Sequence, residues 1–203
     1  MAGDDARRGI PFVGLTGGIA AGKSEALAAL ERLGAATLSS DAVVHEILTT
    51  DEARDELTGR LGPEVAPDGK VDRDAVGALV FERPEERKWL EGYLWPKVGE
   101  RIVTWRKELD ESDPPPRAAV VEVPLLFESG MEAAFDHIIA VVAEDELRSE
   151  RMEERGHTGV ASRESRQLSQ AEKAQRADFS VRNDGTIDEL EEDLSRVLER
   201  MGA

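Results

Sequence analysis

The chain has 203 residues, 40% of them hydrophobic and 34% charged, which suits one globular domain with room for an inserted sub-domain. Its 26 basic and 43 acidic side chains leave a net charge of −17. That balance argues against a nucleic-acid or anionic-membrane partner, because both are held largely by Lys and Arg neutralising phosphates. With no cysteine there is no disulfide, thiolate nucleophile or cysteine zinc site.

No run of 18 apolar residues marks a membrane span. Arg7-Arg8 makes a poor export signal, because Gly17-Gly18 and Lys23 soon interrupt the apolar stretch behind it. A cytoplasmic protein with a small-molecule substrate is therefore expected, either a monomer or a weak homo-oligomer.

In chain order, "PFVGLT" (11–16) reads as a short buried strand feeding a glycine loop. From Ser24 onward Leu27, Leu30 and Leu33 recur at helical spacing, and Gly34 stops the helix. "AATL" (35–38) is a second strand, followed by a helix through Val43, Val44, Ile47 and Leu48 that Ser40 or Asp41 would cap. Residues 51–111 carry almost no strand signal and read as helices separated at "LGPEVAPDGKVD", Pro84 and Pro96.

"AAVVEVPLLF" (118–127) and "HIIAVVA" (137–143) look like strands covered on both faces. Residues 144–176 are charged and helical in pattern, and "ADFSV" (177–181) is one more short strand. A closing helix aligns Ile187, Leu190, Leu194, Val197, Leu198 and Met201 on one face. Strands alternating with helices imply an α/β fold around a mainly parallel sheet, with a helical insertion in the middle.

Gly17, Gly22, Lys23 and Ser24 complete the pattern G-x-x-x-x-G-K-S, with Gly18, Ile19, Ala20 and Ala21 between the glycines, in a strand–loop–helix setting. Glycines let backbone N–H groups turn inward around a phosphate, and the helix amino end adds partial positive charge. Lys23 can reach the outer phosphates and the Ser24 hydroxyl can ligate Mg²⁺. An ordinary glycine turn before a helix is the plain alternative, and the full match in context outweighs it.

GTPases, motor ATPases and small-molecule kinases all use such a loop. The guanine-specifying N-K-x-D is missing, and the third strand candidate holds Glu122 with Pro124 close behind rather than a closing acidic pair. Asp41 follows the second strand, at the edge where α/β sheets bind ligands. It could take a proton from an acceptor hydroxyl or hold Mg²⁺ through water; a helix cap without chemistry is the alternative. Arg148, Arg151 and Arg155 share one helical face, with Arg163, Arg166, Lys173 and Arg176 beyond. They fit a lid closing on ATP, or else a solvated face paired with Glu150, Glu153 and Glu154.

These residues resemble the dephospho-coenzyme A kinase family from about Phe12 to the final helix. "GLTGGIAAGKS" is similar to its P-loop, and Asp41 falls at the second Asp of its Asp-Ala-Asp signature. "DGKVDRDAVGALVF" with Arg73 resembles its substrate-side helix, and "VPLLFE" (123–128) its most specific motif. "ERMEER" with Arg151 and Arg155 resembles the lid, and "RNDG" with Asn183 the adenine side.

The sequence departs from the family at four places. Ser39 replaces the first Asp, Trp95 a usual His before Pro96, and Glu25 a usual Thr after Gly-Lys-Ser. Ala20 replaces a frequent glycine, a mild change where backbone angles are ordinary.

The resemblance implies a P-loop NTPase-type parallel five-stranded sheet flanked by helices. Residues 1–59 and 112–203 would form the nucleotide core, with a lid at about 144–176, and 60–111 a helical acceptor-binding insertion. ATP and Mg²⁺ would occupy the loop, touching residues 17–25, Arg151 and Asn183. Dephospho-CoA would meet Asp41, Arg73, Trp95, Pro96, Lys97, Leu125 and Glu128, and Asp41, Lys23, Arg151 and Arg155 would carry the transfer. A kinase for another small hydroxyl acceptor, licensed by Trp95 and Ser39, and a non-catalytic nucleotide-binding regulator are the alternatives.

Overall fold

The computed structural model describes residues 9–154 and 167–203. Five strands form one parallel sheet: β1 (Phe12–Gly17), β2 (Ala36–Ser39), β3 (Ala119–Glu122), β4 (His137–Val142) and β5 (Phe179–Arg182), in the order β2-β3-β1-β4-β5. All of β1 is buried, because it is central in the sheet and covered on both faces. From β1 the chain crosses to β2, returns through β3 and then builds outward through β4 and β5. The loop after β1 therefore leaves at the carboxyl edge where the winding reverses, the usual ligand position in such sheets.

Two helices beside the sheet supply much of the core. α1 (Lys23–Arg32) buries Ala26, Ala29 and Leu30 among Val13, Leu15, Val120 and Ile139. The last helix, α8 (Ile187–Met201), adds Leu190, Leu194, Val197, Leu198 and Met201 to that cluster. A capping box joins Thr186 and Glu189 at its start, and Gly202 in the left-handed region ends it. Ile187 departs from the expected face: as the first helical residue it lies 52% exposed, before the stripe engages the core.

The chain divides into two compact units, one of residues up to Ser39 with Arg106–Ala203, the other Ser40–Trp105. The second holds α2 (Ser40–Leu48), α3 (Asp51–Leu61), α4 (Arg73–Glu82) and most of α5 (Pro84–Asp110). Its own small core comprises Leu48, Leu57, Leu61, Val65, Val76 and Leu94. Back in the sheet unit, α6 (Asp145–Glu154) follows β4 and α7 (Gln170–Arg176) precedes β5.

Two sequence expectations fail for physical reasons. Pro84 opens α5, at the first-turn position where a missing N–H is harmless, but Pro96 does not end it: the helix runs 27 residues through that proline. Pro96 and Gly92, four residues earlier, both face solvent, so water can take the carbonyl left unbonded, while Leu94, Val98, Ile102 and Trp105 are buried on another face. Likewise the apolar run at 118–127 is a strand only as far as Glu122. Leu126 and Phe127 are buried in a turn, and apolarity alone cannot tell a buried turn from a buried strand.

Replacing Pro96 with alanine restores one helix bond and removes a ring clash, offset by a more flexible unfolded chain. A gain of about 2 kcal/mol is expected. Urea unfolding should show a higher midpoint at unchanged slope, and an unchanged midpoint would mean that the helix absorbs the proline without cost.

Candidate active site

The glycine loop is shaped by what its neighbours forbid. A Cβ on Gly17 would lie 2.3 Å from the Val141 carbonyl oxygen, so strand β4 admits only glycine there. Gly22 caps α1 in the left-handed region at φ 90°, and a Cβ on it would meet the Asn183 amide nitrogen at 1.8 Å. Ala20 is the one described non-glycine residue with positive φ, at 58°. The exchange of glycine for alanine at that position is therefore strained rather than mild.

Most carbonyls of the loop have donors. The Lys23 ammonium donates to Gly18 O at 3.0 Å and, more weakly, to Gly17 O at 3.4 Å. Arg148 Nε donates to Ile19 O at 2.9 Å, and the buried Asn183 side-chain amide to Ala21 O at 3.0 Å. Ala26 N closes on Gly22 O, beginning α1. A loop with its carbonyls occupied in this way can offer its N–H groups to an anion.

The two described arginines of α6 have different surroundings. Arg148 on α6 also pairs with Asp145 at 2.8 Å. Arg151, one turn on, donates through Nη2 to Asn183 O at 3.0 Å, while its buried Nη1 has no hydrogen-bond partner among the described residues. That nitrogen lies 3.7 Å from where a Gly22 Cβ would be. A buried guanidinium donor left over beside a phosphate loop is what an anionic ligand would complete. Arg155, Arg163 and Arg166 lie outside the described residues.

Glu128, at the end of the turn after β3, is tied inward. Its Oε1 accepts from Leu168 N at 2.8 Å and pairs with Lys173 at 3.2 Å. Lys173 is fully buried and donates to Pro124 O at 2.6 Å; the Thr16 hydroxyl shares that carbonyl at 3.4 Å. Burial lowers the Lys173 ammonium below the ordinary lysine range, with Glu128 opposing the shift. From the sequence Lys173 belongs only to a basic run, since no periodic signal marks one lysine of a short charged helix as internal. Leu125, beside this knot, is 36% exposed.

The remaining candidates have simpler surroundings. Ser24 is the second residue of α1. Glu25 points its carboxylate at Arg32, 3.5 Å away, and Arg32 also pairs with Glu191. Asp41 is in the first turn of α2, two residues past the end of β2. Ser39 ends β2, in register with Glu122. Within the helical unit, Arg73 approaches His45 Nδ1 at 3.4 Å, and Lys97 pairs with Glu52 at 2.8 Å, which raises its pKa. Trp95 is 45% exposed and Pro96 is exposed beside it.

No described cluster of three His, Cys, Asp or Glu forms a metal cage. The Ser24 hydroxyl, in the first turn of the helix that follows the glycine loop, instead suits Mg²⁺ carried largely by nucleotide phosphates and water. No helix among the described residues is long and apolar enough to cross a membrane.

A parallel sheet wound about a G-x-x-x-x-G-K-S loop, with Arg148 and Arg151 of α6 brought beside that loop, defines a P-loop nucleotide-binding protein. Comparison with known proteins narrows the class. The family model for dephospho-CoA kinase matches residues 11–189. A dephospho-CoA kinase of Geobacillus kaustophilus is 33% identical over 94% of this chain and 96% of its own length. One from Anaeromyxobacter dehalogenans is 37% identical over 92% of this chain and 90% of its own.

Among solved structures, one from Thermus thermophilus superposes with a TM-score of 0.81 at 34% identity, covering 95% of this chain and 98% of its own. The dephospho-CoA kinase from Campylobacter jejuni gives 0.68 at 28% identity, over 94% and 96%. The chain belongs to the dephospho-CoA kinase family.

Lys173→Met strands Glu128 in a mostly buried position and should cost about 3 kcal/mol at neutral pH, whereas Lys173→Met with Glu128→Leu should recover most of it. The lowered Lys173 pKa means that the unfolded chain binds more protons as pH rises from the folded towards the unfolded value. Wild-type stability should therefore gain a contribution in that alkaline window, and the apolar pair should lack it. Urea titrations at neutral and alkaline pH measure both effects.

Proposed function

We propose that this chain transfers the γ-phosphoryl group of ATP to the ribose 3′-hydroxyl of dephospho-CoA, giving ADP and coenzyme A. Family membership supports the substrate, and one observation supports the chemistry: the glycine loop has most of its carbonyls held by other groups. The net charge of −17 favours a small acceptor over a polyanion, because positive groups are gathered locally at this loop.

Backbone amides of residues 17–24 hold the phosphate chain, and Lys23 leaves the Gly17 and Gly18 carbonyls to meet the outer phosphates. Arg151, with its spare Nη1, adds charge as the phosphoryl group moves, and Arg155, four residues on in the sequence, would extend that role. Ser24 and, through water, Asp41 would hold Mg²⁺; the ion, when bound, neutralises phosphate charge. Asn183 lines the adenine side of the loop.

Asp41 takes the proton of the acceptor hydroxyl as that oxygen bonds to the γ-phosphorus and the bond to the ADP oxygen breaks. Its place in the first turn of α2, just past β2, supports this role. Arg73, Trp95, Pro96, Lys97 and Leu125 are the acceptor-side candidates, with residues 60–111 as the acceptor-binding part. Lys97 would exchange Glu52 for a substrate phosphate. Glu128 orders the turn after β3 through Oε1, on Lys173 and Leu168 N, while its buried Oε2 has no hydrogen-bond partner among the described residues. Glu25, directed at Arg32, has no part in this scheme. A kinase for another small hydroxyl compound is the second reading, favoured by Trp95, a large exposed ring where the family usually has histidine.

Asp41→Asn should lower kcat with dephospho-CoA by about a hundred- to ten-thousandfold while ATP binding is retained. ADP release, with coenzyme A followed by mass, measures it. ADP formed without coenzyme A, or only with a different acceptor, would reject dephospho-CoA as the substrate.

A further inference from the structure

The strained residue of the glycine loop sits between two carbonyls that are each held from outside. Ala20 has φ 58°, a region an alanine populates about five- to thirtyfold less than a glycine relative to ordinary backbone. The carbonyl before it, on Ile19, accepts from Arg148 Nε at 2.9 Å. The carbonyl after it, on Ala21, accepts from the Asn183 amide at 3.0 Å.

The two holders are themselves fixed. Arg148 is braced by Asp145, and its side chain is only 13% exposed. It lies across Gly18, where a Cβ would be 3.5 Å from its Nε. Asn183 is buried, continues the sheet through its N–H to Val142 O at 2.8 Å, and receives Arg151 on its own carbonyl. The peptide plane before Ala20 is thus pinned from α6 and the Ala21–Gly22 plane from just past β5, while the plane between them is tied within the loop by Ala21 N donating to Gly18 O at 3.3 Å.

We propose that Arg148 is a positioning residue for phosphoryl transfer. Together with Asn183 it holds the alanine-containing loop in its phosphate-receiving shape, a conformation that glycine at position 20 would adopt unaided. The inference rests on the ATP-binding reading of this loop. It assigns Arg148 a role separate from Arg151: one arginine shapes the loop, and the next has a donor to spare for the nucleotide.

A double-mutant cycle on the full chain separates this role from direct charge on the nucleotide. ATP dissociation constants and kcat/KM for ATP are measured for wild type, A20G, R148M and A20G/R148M, with circular dichroism confirming the fold. A20G alone is the reference corner of the cycle, and the effect of Arg148 is read against it whatever A20G does by itself. R148M should weaken ATP by about tenfold, and A20G should return most of that loss in the double variant. If R148M fails to fold, the milder R148K replaces it in the same cycle.

A defect in R148M that A20G leaves unchanged would overturn the proposal, since Arg148 would then act on the nucleotide itself. An R148M variant with wild-type ATP affinity and turnover would also overturn it. Wild-type protein that fails to bind ATP at all would remove the reading of the loop together with the clamp. Binding by wild type without rescue removes the clamp alone.

Discussion

A backbone loop can receive an anion only if its carbonyl oxygens are turned away and kept away. Each residue of the loop carries one acceptor as well as one donor, and an acceptor facing a phosphate repels it. Here Arg148 after β4 and Asn183 after β5 meet that requirement for the Ile19 and Ala21 carbonyls, and Lys23 on the following helix holds the Gly18 carbonyl until it turns to the phosphates. The sheet order makes this feasible, because β4 adjoins β1 and β5 adjoins β4. Residues distant in sequence therefore arrive at the same edge of the sheet.

A second tie joins the same edge to the turn after β3. The Pro124 carbonyl gathers Thr16, one residue before the loop, and Lys173 from α7; Glu128 gathers Lys173 and the Leu168 amide. α7 is thereby fastened to the strand that carries the glycine loop. Burying an ammonium is unfavourable, and its lowered pKa shows this, but a carboxylate and a carbonyl oxygen offset the loss of water.

Strong periodic or motif signals carried the fold from the sequence: five apolar strand segments, the leucine spacing of α1, the stripe of α8 and the complete G-x-x-x-x-G-K-S. What local pattern missed depended on tertiary context. Pro96 could not be seen to lie on a solvent face of a continuous helix, nor "VPLLF" to be a buried turn. At the site, Lys23, Asn183 and Arg151 were identifiable from motif and resemblance. The left-handed angle at Ala20, the bond from Arg148 to Ile19 and the burial of Lys173 were not. Each depends on contacts between residues more than twenty positions apart or on a backbone angle the side chain does not reveal. The unequal use of Arg148 and Arg151 is equally invisible, since both share one helical face.

Phosphorus carries the central claim, so its path is the measurement to make. ATP labelled with heavy oxygen on the γ-phosphate is incubated with the protein, Mg²⁺ and dephospho-CoA, and the products are resolved by mass. If the loop delivers the γ-phosphoryl group to the acceptor hydroxyl, the label appears in the new phosphate of coenzyme A and ADP forms in equal amount. Label released as inorganic phosphate, with dephospho-CoA unchanged, would contradict the account and make the loop that of a hydrolase.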